Sequence, residues 1–151
     1  MPSASPRWVE AKEGYVPVDQ AVAGGVDIDG EPLYVGRAKH DGHIIPGKIR
    51  SSHGVCYVAY EGLEIPYRSY QVLTSTGFEF EWIHCKCGTP PMGVILGGRT
   101  ADGTPMYIGR TVHEGSNVIG KVLGNSISFP FAGREIRSQS YEVLCLRDEV
   151  S

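Results

Sequence analysis

Lys48 and Lys121 each follow a glycine and precede a β-branched residue. An ammonium carries three hydrogen-bond donors, so such a lysine beside a turn is either a ligand donor or a solvated side chain. Asp27, just past Gly24-Gly25, offers the complementary acceptor. A sugar hydroxyl both donates and accepts. A carboxylate and an ammonium across a glycine-lined groove can therefore hold a vicinal diol through charge-assisted bonds. Tyr34 or Tyr57 could cover the apolar face of the ring.

The elements that position these residues come from an internal repeat. Gly24-Gly25 recurs as Gly97-Gly98, an offset of 73 residues. The same offset pairs Asp29 with Asp102, Tyr34 with Tyr107, Arg37 with Arg110, His40 with His113 and Lys48 with Lys121. After a two-residue deletion the offset is 71, pairing Gly62 with Gly133, Glu64 with Glu135 and Leu73 with Leu144. Trp8 opens one unit and Trp82 the other, giving repeats over 8–73 and 82–144 joined by the short segment 74–81. Two copies are too few for a solenoid. They suit two units that cover each other's apolar faces.

Within a unit the pattern is strand and turn. LYVGRAKH and MYIGRTVH are rich in β-branched and aromatic residues, with Asp29-Gly30 or Asp102-Gly103 just before and Asp41-Gly42 or Glu114-Gly115 just after. Such pairs are hairpin signals. HGVCYVAY, SYQVL and SYEVLCL alternate. The run from Arg134 onward lacks glycine and proline, but its first half repeats Leu63 to Leu73, which Pro66 interrupts, so both read as strands. The expected fold is all-β, two tandem pseudo-symmetric antiparallel units packed into one globule.

Other chemistry is weaker. Asp27-Ile28-Asp29-Gly30-Glu31 supplies two of the three alternating oxygens that an EF-hand loop needs before its glycine, and Thr100-Ala101-Asp102-Gly103 supplies one. In His84-Cys85-Lys86-Cys87, the two cysteines share a strand face and could chelate zinc, with Cys56 or Cys145 as a further ligand. The matching Glu10-Ala11-Lys12-Glu13 holds no such ligands, so the repeat itself needs no metal. His40, His43 and His53 near Cys56 raise a Cys–His hydrolase, but the second copy has Ser126 opposite His53 and no nucleophile elbow occurs. His40 and His113 read as strand-end residues satisfying turn carbonyls. Arg37/Arg110 and Glu64/Glu135, opposite charges placed identically twice, suggest an internal ion pair. The expectation is a binding protein rather than an enzyme, without cofactor or metal.

Composition bounds the partners. The 151 residues are 41% hydrophobic and 21% charged, which fits a folded chain rather than a disordered one. The 20 glycines and 10 prolines, spread throughout, argue against a helical bundle. A net charge of -3 gives no basic field for nucleic acid or an anionic membrane. No stretch approaches the roughly 20 apolar residues of a membrane span. MPSASPRWVEAKEG has no apolar run, so no signal peptide is expected. A cytoplasmic protein with reduced cysteines follows, with unconventional secretion left open.

The linked motifs GGVDIDGEPLYVGRA and PGK in the first copy, GGRTADGTPMYIGR and IGK in the second, resemble the DM-nine repeat family. That resemblance implies a two-unit all-β fold, homodimers in some members and, in the invertebrate lectins of the family, binding of D-mannose and recognition of microbes. The mannose contacts of those lectins fall here on Asp27 and Lys48. The second copy keeps Lys121 but has Thr100 at the aspartate position, which implies a weaker second site. The expected function is a mannose-type lectin of innate immunity, with mannose-containing glycans as partner. The alternative is an intracellular interaction or stress-response protein with no sugar ligand.

Overall fold

The computed structural model describes residues 6–75, 77–85 and 88–147. The first unit contributes β1 (Arg7–Lys12), β2 (Ala23–Val26), β3 (Pro32–His40), β4 (His43–Arg50), β5 (Val55–Tyr60), β6 (Leu63–Tyr67) and β7 (Ser69–Thr74). The second contributes β8 (Phe80–Cys85), β9 (Leu96–Arg99), β10 (Pro105–His113), β11 (Ser116–Leu123), β12 (Ser126–Phe131), β13 (Arg134–Ser138) and β14 (Tyr141–Leu146). A 3-10 turn spans Ser51–His53, and no helix among the described residues is long and apolar enough to cross a membrane. The expected all-β architecture of two equivalent antiparallel units is what the chain adopts.

The turns explain the hairpins. Asp41-Gly42, Glu61-Gly62, Glu114-Gly115 and Ala132-Gly133 each place both residues at positive φ. That backbone twist matches the twist of flanking strands, so each pair closes a tight two-residue hairpin. These turns join β3 to β4, β5 to β6, β10 to β11 and β12 to β13.

The units are interleaved rather than merely stacked. β2 pairs with its own β3 but also with β11 of the other unit, Val26 opposite Asn117. β9 likewise pairs with β10 and with β4, Arg99 opposite Ile44. With β3–β4 and β10–β11 this closes a circuit of six strands that exchange under a pseudo-two-fold axis. A closed circuit leaves no free edge. The crossing needs Gly25 and Gly98: a Cβ on Gly25 would fall on the Asn117 carbonyl oxygen, and one on Gly98 on that of Ile44. β6 and β13 add a third crossing, Leu63 opposite Arg134.

One core lies at the axis and one in each unit. The central cluster holds Val22, Leu33, Val35 and Leu73 from the first unit and Ile95, Ile108, Ile119 and Leu144 from the second. Trp8 and Trp82 flank it in equivalent settings. Arg37 stacks 4.1 Å from the centre of Trp8 and donates to the Gly97 carbonyl at 3.1 Å. Arg110 stacks 4.5 Å from Trp82 and donates to Gly24 at 3.1 Å. Each arginine thus ties its own tryptophan to the other unit's glycine pair. The expected pairing of these arginines with Glu64 and Glu135 is not found: Arg37 bonds Gln71 and Arg110 bonds Glu142 instead. Charge alone did not give the register that decides which strands face each other.

Gly25→Ala should cost about 1–3 kcal/mol or more, because the strand crossing leaves no room for a methyl group. Urea denaturation is the measurement, with Val112→Ala at an exposed position as control. A Gly25→Ala midpoint equal to that of the control would show that the crossing is not a close backbone approach.

Candidate functional site

The site begins at the turn between β2 and β3. The Asp27 amide donates to the Glu31 carbonyl at 2.9 Å and the Gly30 amide to the Asp27 carbonyl at 2.9 Å, with Gly30 in the left-handed region. The Ile28 amide caps the Asp27 carboxylate at 2.8 Å, and the Glu31 amide caps Asp29 at 3.1 Å. These local bonds aim Asp27, Asp29 and Glu31 toward the end of β4, where Arg50 stands.

Arg50 is the centre of this acidic run. Its Nη1 donates to Asp27, its Nη2 to Asp29 at 2.6 Å, and its Nε lies 2.8 Å from Glu31. The Ser52 amide donates a hydrogen bond to the Glu31 carboxylate at 2.9 Å. The segment that resembled a calcium loop is therefore built around a guanidinium. The bond from the Glu31 amide, followed by Arg50, holds Asp29 below the usual carboxylate range. Burial pushes Glu31 up, but the Ser52 bonds and Arg50 bring it below its ordinary value.

Lys48 lies two residues before Arg50 and so projects from the same face of β4. It is 5% exposed, and Asp27 is 9% exposed. The Lys48 ammonium sits 3.3 Å from Glu64 on β6. It is 5.6 Å from the ring of Tyr57, its neighbour on β5, and 5.5 Å from the ring of Phe131, which the second unit supplies. His53 shares a 2.7 Å hydrogen bond with the Tyr57 hydroxyl. A cleft of about 230 Å³ is lined by Asp27, Lys48, Arg50, Tyr57, Glu64 and Phe131, among others. The structure thus brings Asp27 and Lys48 to one cleft, but each has its own ionic partner, Arg50 and Glu64 respectively. Neither lysine is a free surface group, and Lys48 is not the partner of Asp27. Tyr57 does line the cleft; Tyr34 packs against the first unit's core instead.

The second unit departs from this arrangement. Lys121 lies 3.1 Å from Glu135 and 5.6 Å from the ring of Tyr60, which occupies the repeat position of Phe131. It also donates to the Ala59 carbonyl at 2.7 Å, whereas Lys48 has no backbone acceptor among the described residues. Leu123 stands where Arg50 would be. Thr100 bonds Asp102 and accepts from the Thr104 amide at 3.0 Å, closing its hydroxyl within the turn. No cleft described here is lined by both Thr100 and Lys121.

Sequence reasoning missed Arg50 and Phe131, and it read Glu64 as the partner of Arg37 rather than of Lys48. The aromatic pair Tyr60 and Phe131 shares one repeat position, a signal that was present. The two glutamates also bind across the units: Glu64 accepts from the Gly133 amide at 3.0 Å and Glu135 from the Gly62 amide at 2.9 Å.

The remaining candidates sort differently. His40 is at a strand end, but its Nδ1 meets the Tyr67 hydroxyl rather than a turn carbonyl. His113 packs against Phe129 and Phe131 and faces Glu114 at 3.2 Å. Cys56 is fully buried, and burial pushes its thiol far up, away from the thiolate that nucleophilic chemistry needs. Cys85 is buried and points at the Thr89 carbonyl at 3.3 Å. Cys87 lies outside the described residues, so the zinc pair is not described.

The fold and this site define a tandem-repeat all-β protein with a charged cleft between units. The DM9 repeat model matches residues 2–67 and again 56–127. The chain belongs to the DM9 repeat family. The crystal structure of the nematode sperm cell motility protein MFP2B has a similar fold, with a TM-score of 0.75 and 18% sequence identity over 99% of this chain. The match covers 48% of that protein, so this chain spans about half its length. No curated protein matches the chain.

Lys48→Ala would leave Glu64 facing the cleft without its cation. Breaking a buried pair typically costs about 3–5 kcal/mol. The double variant Lys48→Ala/Glu64→Gln should recover part of that loss in chemical denaturation. An unchanged midpoint for Lys48→Ala alone would mean that the pair is not structural.

The Arg50 cluster predicts an acid limb. Asp29 and Glu31 have lowered folded pKa values, so their stabilisation is present above the ordinary values of 3.8 and 4.5 and is lost as pH falls through the lowered ones. Arg50→Met should therefore lose less stability than wild type between about pH 5 and pH 3. Parallel stability curves for the two proteins would show that Arg50 does not set the carboxylate protonation.

Proposed function

We propose that this protein is a carbohydrate-binding lectin that takes mannose-type sugars in the Asp27–Lys48 cleft, and that it is not an enzyme. The observation that carries the reading is a buried carboxylate and a buried ammonium beside two aromatic rings in one cleft. A vicinal diol there donates to Asp27 and accepts from Lys48, whose ammonium keeps donors unused by the protein. Arg50 holds the Asp27 carboxylate in place. Tyr57 and Phe131 take the C–H face of the sugar. Because Arg50 already supplies the cation among the acidic residues, sugar binding here needs neither calcium nor zinc.

Pattern recognition in innate immunity is the role that follows from such a site, and a homodimer would raise avidity by presenting several weak sites together. The family resemblance supports both. A second reading is an interaction protein with no sugar ligand, and the likeness to a protein of cell motility favours it.

Calorimetric titration with mannose, in the presence of a chelator, separates the two. Asp27→Asn exchanges charge-assisted bonds for neutral ones, a difference of about 1 kcal/mol, or about fivefold in affinity. Thr100→Ala should leave the affinity close to wild type. Arg50 keeps Asp29 and Glu31 in the Asp27 variant, so the fold survives to be tested. Absence of binding to mannose and to yeast mannan would favour the interaction protein, and equal affinity in Asp27→Asn would take the sugar out of the Asp27–Lys48 cleft.

A further inference from the structure

Each unit carries a second cleft beside its stacked arginine, away from Asp27 and Lys48. The first, about 280 Å³, is lined by Glu10, Arg37, Lys39, Tyr67, Ser69 and Gln71, among others. The second, about 310 Å³, is lined by the repeat counterparts His84, Arg110, Val112, Ser138, Ser140 and Glu142. The backbone frame is shared, so the differences between the clefts lie in side-chain chemistry.

Arg110 is neutralised where it stands: its Nε donates to the Glu142 carboxylate at 2.7 Å. Arg37 makes the same bond at 2.7 Å, but to the neutral amide oxygen of Gln71. The Gln71 amide nitrogen in turn donates to Glu10 at 2.8 Å, so the nearest carboxylate is one residue removed. Burial pushes the Arg37 pKa down, only partly opposed by Glu10. Arg37 Nη2 has no partner among the described residues. Lys39 adds a second cation where the other unit has Val112. The Ser69 hydroxyl is unpartnered among the described residues, as is that of its counterpart Ser140, so the clefts differ in their charged groups; Tyr67 stands where the second unit has Ser138, whose hydroxyl bonds the Ser140 backbone.

We propose that the first-unit cleft binds a small oxyanion, a phosphate or carboxylate group carried by a small molecule, on Arg37, Lys39 and Ser69, and that the second-unit cleft does not. A guanidinium presents a planar fork matched to such oxygens. Trp8 fixes the plane of that fork, and the Gly97 carbonyl anchors one end of it. A partly buried cation without a contacting anion is costly, and a bound oxyanion removes that cost. The inference does not depend on the sugar site.

The test is a pair of titrations at constant ionic strength, one with inorganic phosphate and one with acetate, read by NMR at the arginine Nε–H groups. A saturable shift at Arg37 and none at Arg110 is expected. Response to phosphate alone identifies a phosphoryl ligand, and response to acetate alone a carboxylate. Gln71→Glu copies the second unit's own residue and should weaken binding at least about tenfold. Glu142→Gln should make Arg110 respond. Both variants should keep wild-type mannose binding, which reads the other cleft. Should Gln71→Glu fail to fold, Glu10→Gln serves: removing the competing carboxylate should tighten binding severalfold. No saturable shift with either anion, equal shifts at both arginines in wild type, or unchanged affinity in both first-unit variants would overturn the proposal.

Discussion

The structure depends on a largely shielded lysine–glutamate pair made twice about a pseudo-two-fold axis. Lys48 meets Glu64 and Lys121 meets Glu135. Each glutamate then accepts the turn amide of the other unit, at Gly133 or Gly62. A buried ammonium is expensive unless paired, and a buried carboxylate is expensive unless its lone pairs are satisfied. Here only the first condition is met within one unit alone. The charge is balanced inside the unit, but the carboxylate is completed only by its neighbour. That requirement sets how the two units must meet.

The second tie between units obeys the same logic with backbone groups. Arg37 and Arg110 each lie flat on a tryptophan of their own unit and donate to a carbonyl of the other. Glycine at the crossing lets β2 and β9 approach a foreign strand closely enough for those carbonyls to be in reach. The apolar core at the axis closes behind these polar links, with equivalent residues from both copies. Polar links across the seam specify the arrangement, and burial supplies the bulk of the stabilisation.

Symmetry persists in the contacts and turns that build the frame and fades among the other side chains that face a cleft. The lysine–glutamate pairs, the stacked arginines and the tight turns all occur in both copies. Arg50 becomes Leu123, Asp27 becomes Thr100, Lys39 becomes Val112 and Gln71 becomes Glu142. Each of these differences changes charge in a cleft while leaving the strand frame alone. One frame therefore carries two chemically distinct halves.

The repeat, the strand pattern and the hairpin turns were legible in the residues because they rest on local physics. Asp41-Gly42 makes its turn whatever surrounds it, and alternation along β5 or β14 places one face inward. That Asp27 and Lys48 share a cleft was raised by their residue types and strengthened by the family resemblance, while the repeat alone left it open. What the chain order could not provide was the partner of each charge. Arg37 and Glu64 carry opposite signs at repeated positions and still do not meet, because β4, not β3, lies across β5 from β6. Arg50 reaches Asp27 only once the β2–β3 turn folds over the end of β4. Phe131 reaches Lys48 from the other repeat, more than eighty residues away in sequence. Local sequence determined the elements. The strand crossings between units, set by long-range backbone pairing and burial, decided which side chains share a site.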